Sequence, residues 1–430
     1  MRILKTALWV AIAAVPAALG AQVIGHMTAA EPITAARIAQ LPTRKQPVWL
    51  AYLARSAALM AADKAALAAE RGDGPVPAPP PTGPSGGGGM PLDKPAGWYA
   101  GPEARHVADN IVSFQTPAGG WGKNVDRSGP VRVRGQNYVP IENLPANART
   151  PNVDESWSFV GTIDNNATTS ELRFLAKAQA AAPGAEGEAY RASLLKGVAY
   201  LLTAQFPNGG WPQVYPLEGG YHDALTYNDD AMSDVVTLLA DVAGRKGDYG
   251  FVPEPVAARA RAAVAKAVHV ILTTQVVIGG KRTVWGQQHD ALTLAPAGAR
   301  NFEPASLSSY ESANLLLLLM RLPDPSPQVR DAVRDGVAWL RDHAIRDVEW
   351  TRGVDGRTLV AKPGAGPIWS RYYDFTTGKP IFGDRDKSIH DDVNEISRER
   401  RDGYSWFSGG PRKAIDQYEK WSAAHSSAAR

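Results

Sequence analysis

The spacing of apolar and polar positions along the chain predicts helices almost throughout. Leu50, Leu53, Ala57, Met60 and Leu67 recur near helical spacing within an Ala-rich stretch, so residues 47–70 should form a helix. Three further helical stretches, 102–115, 189–205 and 256–275, each end in the pattern Q-x-x-x-G-G. The glutamines are Gln115, Gln205 and Gln275, 90 and 70 residues apart, and Trp121, Trp211 and, slightly late, Trp285 follow the glycines. A glycine just past a helix is the expected left-handed stop. Three polar clusters, beginning at Asp164, Asn228 and Leu307, run straight into apolar helices, as capping residues do. Strand signals are sparse. Helix–loop–helix units repeated three times predict an all-α fold, an (α/α)3 toroid with long loops and little β structure.

Residues 71–95 are rich in Pro and Gly, a composition that builds no core, and they read as a linker. The predicted organisation is a signal peptide (1–21), an N-terminal helical segment (22–70), the linker (71–95) and a toroid (96–430). The signal reading rests on Arg2 and Lys5, the apolar run 7–19 and the small residues Ala18 and Gly20. That run is too short for a spanning helix, so an exported protein, periplasmic or secreted and not held in a membrane, is expected. Its removal takes two cations from a chain of net charge +3, leaving a nearly neutral protein whose local clusters, not bulk charge, must identify its partner. With no cysteine among 430 residues, disulfides, thiolate metal sites and cysteine nucleophiles are excluded. Any metal must sit on oxygen or imidazole ligands.

One mouth of such a toroid would gather Lys123, Asn124, Asp126, Asp164, Asn165, Asn166, Asn228, Asp229, Asp230 and Arg300. Carboxylate and amide oxygens without Cys suit Ca²⁺ or Mg²⁺, with Asp164, Asp229 and Asp230 as the leading ligand candidates. The alternative is that these residues only cap helices. A later stretch interleaves Arg371, Lys379, Arg385 and Lys387 with Trp369, Tyr372, Tyr373 and Phe382. Rings beside cations suit a sugar acid, stacked on a face and gripped at its carboxylate. Nucleic acid would call for a larger positive charge. His289-Asp290 and His390-Asp391-Asp392 read as structural, and residues 398–404 (RERRDGY) as a solvated charged stretch.

The segments GGWGKNVD (119–126), TIDNNATTSELRFLAK (162–177), FPNGGWPQVYPLEGGYHDALTYNDDAM (206–232), GARNFEPASLSSYES (298–312) and WSRYYDFTTGKPIFGDRD (369–386) resemble pectate lyases of polysaccharide lyase family ten, in order and over most of the chain. The resemblance implies Ca²⁺-assisted β-elimination of polygalacturonate, giving unsaturated oligogalacturonides. It implies Arg300 as the base, Asp164 as an essential residue of the calcium site, and Lys123, Arg371 and Arg385 as contacts to substrate. Asn165 and Tyr372 join them as substrate-binding candidates. An Arg base is chemically awkward, since its pKa exceeds about 12. A setting among other cations, away from carboxylates, is expected to depress it, and Lys123 is the alternative base. Gly122 stands where many relatives are expected to carry Pro. A monomer is expected. Two rival readings remain: an exported pectin-binding protein without catalysis, and a terpene-cyclase-like toroid, suggested by the Q-x-x-x-G-G-W repeats.

Overall fold

A computed structural model describes residues 22–84, 89–140 and 157–426. The proposed signal peptide, 1–21, lies outside the described residues. Helices dominate, in chain order α1 (Ala35–Ile38), α2 (Gln46–Arg71), α3 (Pro102–Ser113), α4 (Thr169–Ala181), α5 (Glu188–Ala204), α6 (Ala231–Gly244), α7 (Glu254–Thr274), α8 (Ser309–Met320), α9 (Pro327–Asp342), α10 (Arg398–Gly403) and α11 (Pro411–Ser426). Strands are short. The longest described hairpin pairs Val348–Gly353 with Gly356–Ala361. Among the described residues, no helix is long and apolar enough to cross a membrane.

Consecutive helices pack as α3/α4, α4/α5, α6/α7 and α8/α9. Helices α4, α6 and α8 pack on one another as an inner layer, and α3, α5, α7 and α9 as an outer one. Helix α8 is the most enclosed. Even Glu311 and Ser312 are buried beside its leucines, as its apolar run requires. This is the predicted all-α, (α/α)3 toroid. Helix α11 packs across α8 and α9.

The repeated motif is a joint between neighbouring helices. The side-chain amide of Gln115 donates to Gly119 O and to Ser193 O of α5, both at 2.9 Å. Gln205 does the same to Gly209 O and to Ala263 O of α7, and Gln275 to Thr283 O and to Ala332 O of α9. The tryptophans act as staples. Trp121, Trp211 and Trp285 are fully buried and donate their indole N–H to Ile111, Leu201 and Ile271. Trp369, outside the sequence pattern, repeats this bond to Leu340.

The glycines do not stop the helices as expected, because they lie several residues beyond the ends. Gly209 has φ 105°, and a Cβ there would stand 2.4 Å from Lys266 O, so it is a turn pressed onto the next outer helix. Nor do the polar clusters supply side-chain caps. The N-cap residues of α4, α6 and α8 make no such bond.

The N-terminal segment departs most from expectation. Helix α2 buries Trp49, Tyr52, Ser56, Asp63 and Leu67, while Leu50 is exposed. The buried stripe is therefore rotated from the one read off the leucines. Its two polar members hold loops of the toroid: Ser56 Oγ accepts from Leu217 N (2.8 Å) and Asp63 Oδ1 from Ala118 N (2.8 Å). Trp49 and Tyr52 pack on Phe206 at 5.4 and 5.3 Å, and Tyr52 donates to Ala204 O. Helix α2 thus shares the main core. The Pro/Gly stretch does not isolate it.

Candidate active site

The polar clusters that fail to cap do something else. Residues Asp164–Asn166 and Asn228–Asp230 form matching single turns just before α4 and α6, and the two turns touch. Asn165 and Asp229 take left-handed backbone angles (φ 52° and 48°), which Asn and Asp tolerate best among residues with a Cβ. Each turn follows a buried threonine, Thr162 or Thr226. Thr162 Oγ1 donates to Gln213 O at 2.6 Å and accepts from Asp164 N at 3.0 Å.

Asp164, Asn165, Asn228 and Asp229 line a cavity of about 300 Å³ together with Lys123, Arg300 and Glu303. Asp164 and Arg300 thus line the same cavity. Lys123 Nζ lies 2.5 Å from Asp164 Oδ2 and 3.5 Å from the centre of the Phe159 ring. A larger hollow of about 820 Å³, between residues 277–283 and α9, holds none of these groups. Charge and convergent donors, not size, mark the smaller cavity as the candidate site.

Arg300 is not placed among cations and away from carboxylates. Its Nε and Nη2 grip Glu303 at 2.8 and 2.5 Å. Burial alone would lower its pKa, but the hydrogen bond and charge of Glu303 outweigh this and raise it. The same pair holds the Glu303 carboxyl far below its ordinary value against the opposing effect of burial. The expectation of a depressed Arg300 is overturned, because the E of its own G-A-R-x-F-E-P segment closes back on it three residues later. The fork leaves only Nη1 of the guanidinium uncommitted by Glu303.

Arg371 stands one step away. It lines an adjoining cavity of about 220 Å³ with Tyr310, and Asp229 belongs to both. Its Nη2 reaches Asn228 Oδ1 at 3.1 Å, Asp229 Oδ1 at 3.4 Å and the buried Glu311. Three candidates fall elsewhere. Tyr372 is fully buried, its hydroxyl against Gln287 and 2.5 Å from that of Tyr404, so it supports the site from beneath without meeting a ligand. Asp230 does not line the cavity. It faces Asn314, with Glu311 and Asp234 near, and burial lifts its carboxyl to about 6. Arg385 is exposed and paired with Glu399 at 3.1 Å, stacked over Phe302 at 5.0 Å.

Sequence reasoning missed Glu303, Glu311, Gln287 and Tyr404. Tyr404 donates to Glu303 Oε1 at 2.7 Å, and Arg400 is buried with its cation over Phe302. Residues 398–404 are therefore mixed: Arg398, Glu399 and Gly403 are exposed as expected, while Arg400 and Tyr404 turn inward behind Phe302 and Glu303. His289 and Asp290 are structural as expected: His289 is buried between Gly286 N and Leu294 O, and Asp290 accepts from Leu292 N and Thr293 N.

A family model described as pectic acid lyase matches residues 115–415. Among solved structures, a family 10 polysaccharide lyase from Cellvibrio cellulosa is 30% identical, with a TM-score of 0.64 over 78% of this chain and 97% of its own. A point mutant of a family 10 polysaccharide lyase from the same organism, in complex with trigalacturonic acid, is also 30% identical. It superposes with a TM-score of 0.63 over 77% of this chain and 98% of its own. No curated protein matches the chain. A match over most of the chain, on a toroid whose mouth gathers the expected acid and base groups, leaves no place for the terpene-cyclase reading: the chain belongs to the pectic acid lyase family and is a polysaccharide lyase.

Proposed function

We propose that the chain cleaves polygalacturonate by β-elimination at the 300 Å³ cavity, after export from the cell. The observation that carries this is the meeting of Lys123, Asp164, Asp229 and Arg300 around one space. The trigalacturonic acid complex of the family 10 neighbour supports the choice of substrate.

The reaction removes the hydrogen at C5 of a uronate, α to its carboxylate. The electrons form a C4–C5 double bond, the C4–O bond breaks, and the leaving oxygen takes up a proton. The carbanion-like charge must be spread for C5 to release its hydrogen. Lys123 and Arg371 are cations placed to grip uronate carboxylates and share that charge. Arg300 is assigned to the C5 hydrogen, through the Nη1 edge that Glu303 leaves uncommitted. Only the neutral guanidine can accept the proton, so the rate should climb steadily into the alkaline range.

Asp164 and Asp229 are the residues that would hold Ca²⁺, with amide oxygens of Asn165 and Asn228 near. Among the described residues, no group of three or more His, Asp or Glu gathers as a ligand set. A cation that takes six to eight oxygens would then complete its shell from the uronate and water, which suits an ion that binds with its substrate. When bound, it would withdraw charge from the uronate carboxylate. The test is ultraviolet absorbance of the unsaturated product, with calcium and with chelator. No rise with calcium present would leave the non-catalytic binding protein standing, and full activity in chelator would remove the metal.

A further inference from the structure

We propose that the N-terminal arm, residues 22–84, is a positioning element of the active site, and that Gly83 is the residue through which it holds Lys123. The family match begins at residue 115, so the arm is outside it. The proposal rests on the reading of Lys123 as a substrate-gripping cation.

The arm meets the site from behind at two ends. At one, Thr82 bridges Val125 in antiparallel fashion. Gly83 N donates to Asn124 O at 2.9 Å, and Asp126 N donates to Pro81 O at 3.0 Å. This is a strip of sheet laid along the residues that follow Lys123. It is also tight. A Cβ on Gly83 would stand 2.8 Å from Asp126 Cα and 3.0 Å from Val125 O, so no other residue fits without prising the two strands apart. Asn124 sits in the left-handed region at φ 59°, and its carbonyl is held by Gly83 N. At the other end, Gly25 and His26 pair with Ile389 and Ser388, and Met27 N donates to Lys387 O. Thr28 O then comes so close to Gly298 that a Cβ there would lie 2.6 Å away, two residues before Arg300.

The arm therefore braces the loop carrying Lys123 and the loop carrying Arg300, both of which line one cavity. A cation displaced by about 1 Å from a developing charge can cost about a hundredfold in rate, so such a brace acts on turnover without touching substrate.

The test uses the full-length protein with Gly83→Val, Lys123→Ala and the double variant, read by kcat/KM on polygalacturonate and by amide exchange over residues 121–126. Gly83→Val is expected to lower kcat/KM about tenfold or more, to speed exchange at Asp126 N–H by a similar factor, and to cost nothing further once Lys123 is Ala. Unchanged exchange, or an equal loss in the Lys123→Ala background, overturns the proposal. A parent protein with no lyase activity counts against the substrate reading alone, and the exchange result still decides the brace. If Gly83→Val does not fold, Gly83→Ala imposes the same clash with less bulk.

Discussion

Arg300 carries an internal contradiction that defines a measurement. A base must be neutral, yet Glu303 grips two of its nitrogens and raises its pKa. Glu303→Gln keeps the shape and removes the charge. If Arg300 takes the C5 proton, the rising limb of the pH–rate profile moves to lower pH, since less alkali is needed to neutralise the guanidinium. A limb that stays in place while the rate falls transfers the base role to Lys123. Arg300→Lys breaks the fork, and turnover should fall by about two orders of magnitude or more while oligogalacturonate binding survives in a titration. The sequence made Arg300, Asp164 and Lys123 legible because their motifs are local. Glu311 and Tyr404 were hidden because they act across 60 and 101 residues, on Arg371 Nη2 and Glu303 Oε1. Gly122 also has a tertiary cause. A Cβ there would meet Val139 Cγ1 at 2.3 Å, and Val139 belongs to a small core with Leu67 of the arm.

Among the elements, the Gln–Gly-Gly joints were visible in sequence but their work was not. A repeat at fixed spacing signals three equivalent units, whereas a glutamine bonded to the carbonyl of a helix 58 residues away leaves no local trace. Gln205→Ala would leave Gly209 O without its amide donor, while Ala263 O keeps its bond within α7, for a loss of roughly 1–3 kcal/mol, read from the denaturation midpoint. Helix α2 shows the opposite error. Its leucines suggested a face, but the true stripe includes Asp63, which no hydrophobic pattern assigns to a core. Burial raises the Asp63 carboxyl from 3.8 to about 6, against the lowering effects of Ala118 N–H and Lys196. The folded state then binds more protons than the unfolded one between about pH 4 and 6. This contribution favours folding below pH 4 and is lost as the pH rises through 6. Asp63→Asn keeps an acceptor for Ala118 and removes the buried charge. Its stability relative to the parent should rise by roughly 2 kcal/mol between pH 4.5 and pH 8, measured by unfolding at both values. Parallel pH curves for the two proteins would contradict this.

At the scale of the molecule, the toroid does not end where its repeats end. Composition alone argued that residues 71–95 build no core. That holds for a core of their own, but α2 joins the core of the toroid, and residues 81–83 pair with the toroid's residues 124–126. Truncation to residues 96–430 therefore removes Ile33, Ile38, Trp49 and Tyr52 from the main core and Leu67 from a smaller one. Each fully buried side chain of this kind contributes about 1.5–3 kcal/mol. Net stability of a folded domain is only about 5–15 kcal/mol, so five such losses, together about 8–15 kcal/mol, are comparable to all of it. Phe206, Tyr215 and the Leu217 N–H would face water as well, each losing a partner on α2. The shortened chain is expected to lose its cooperative thermal transition and near-ultraviolet circular dichroism, whatever becomes of activity. A sharp transition within a few degrees of the full-length protein, with unchanged turnover, would instead make the arm dispensable and reinstate an independent toroid.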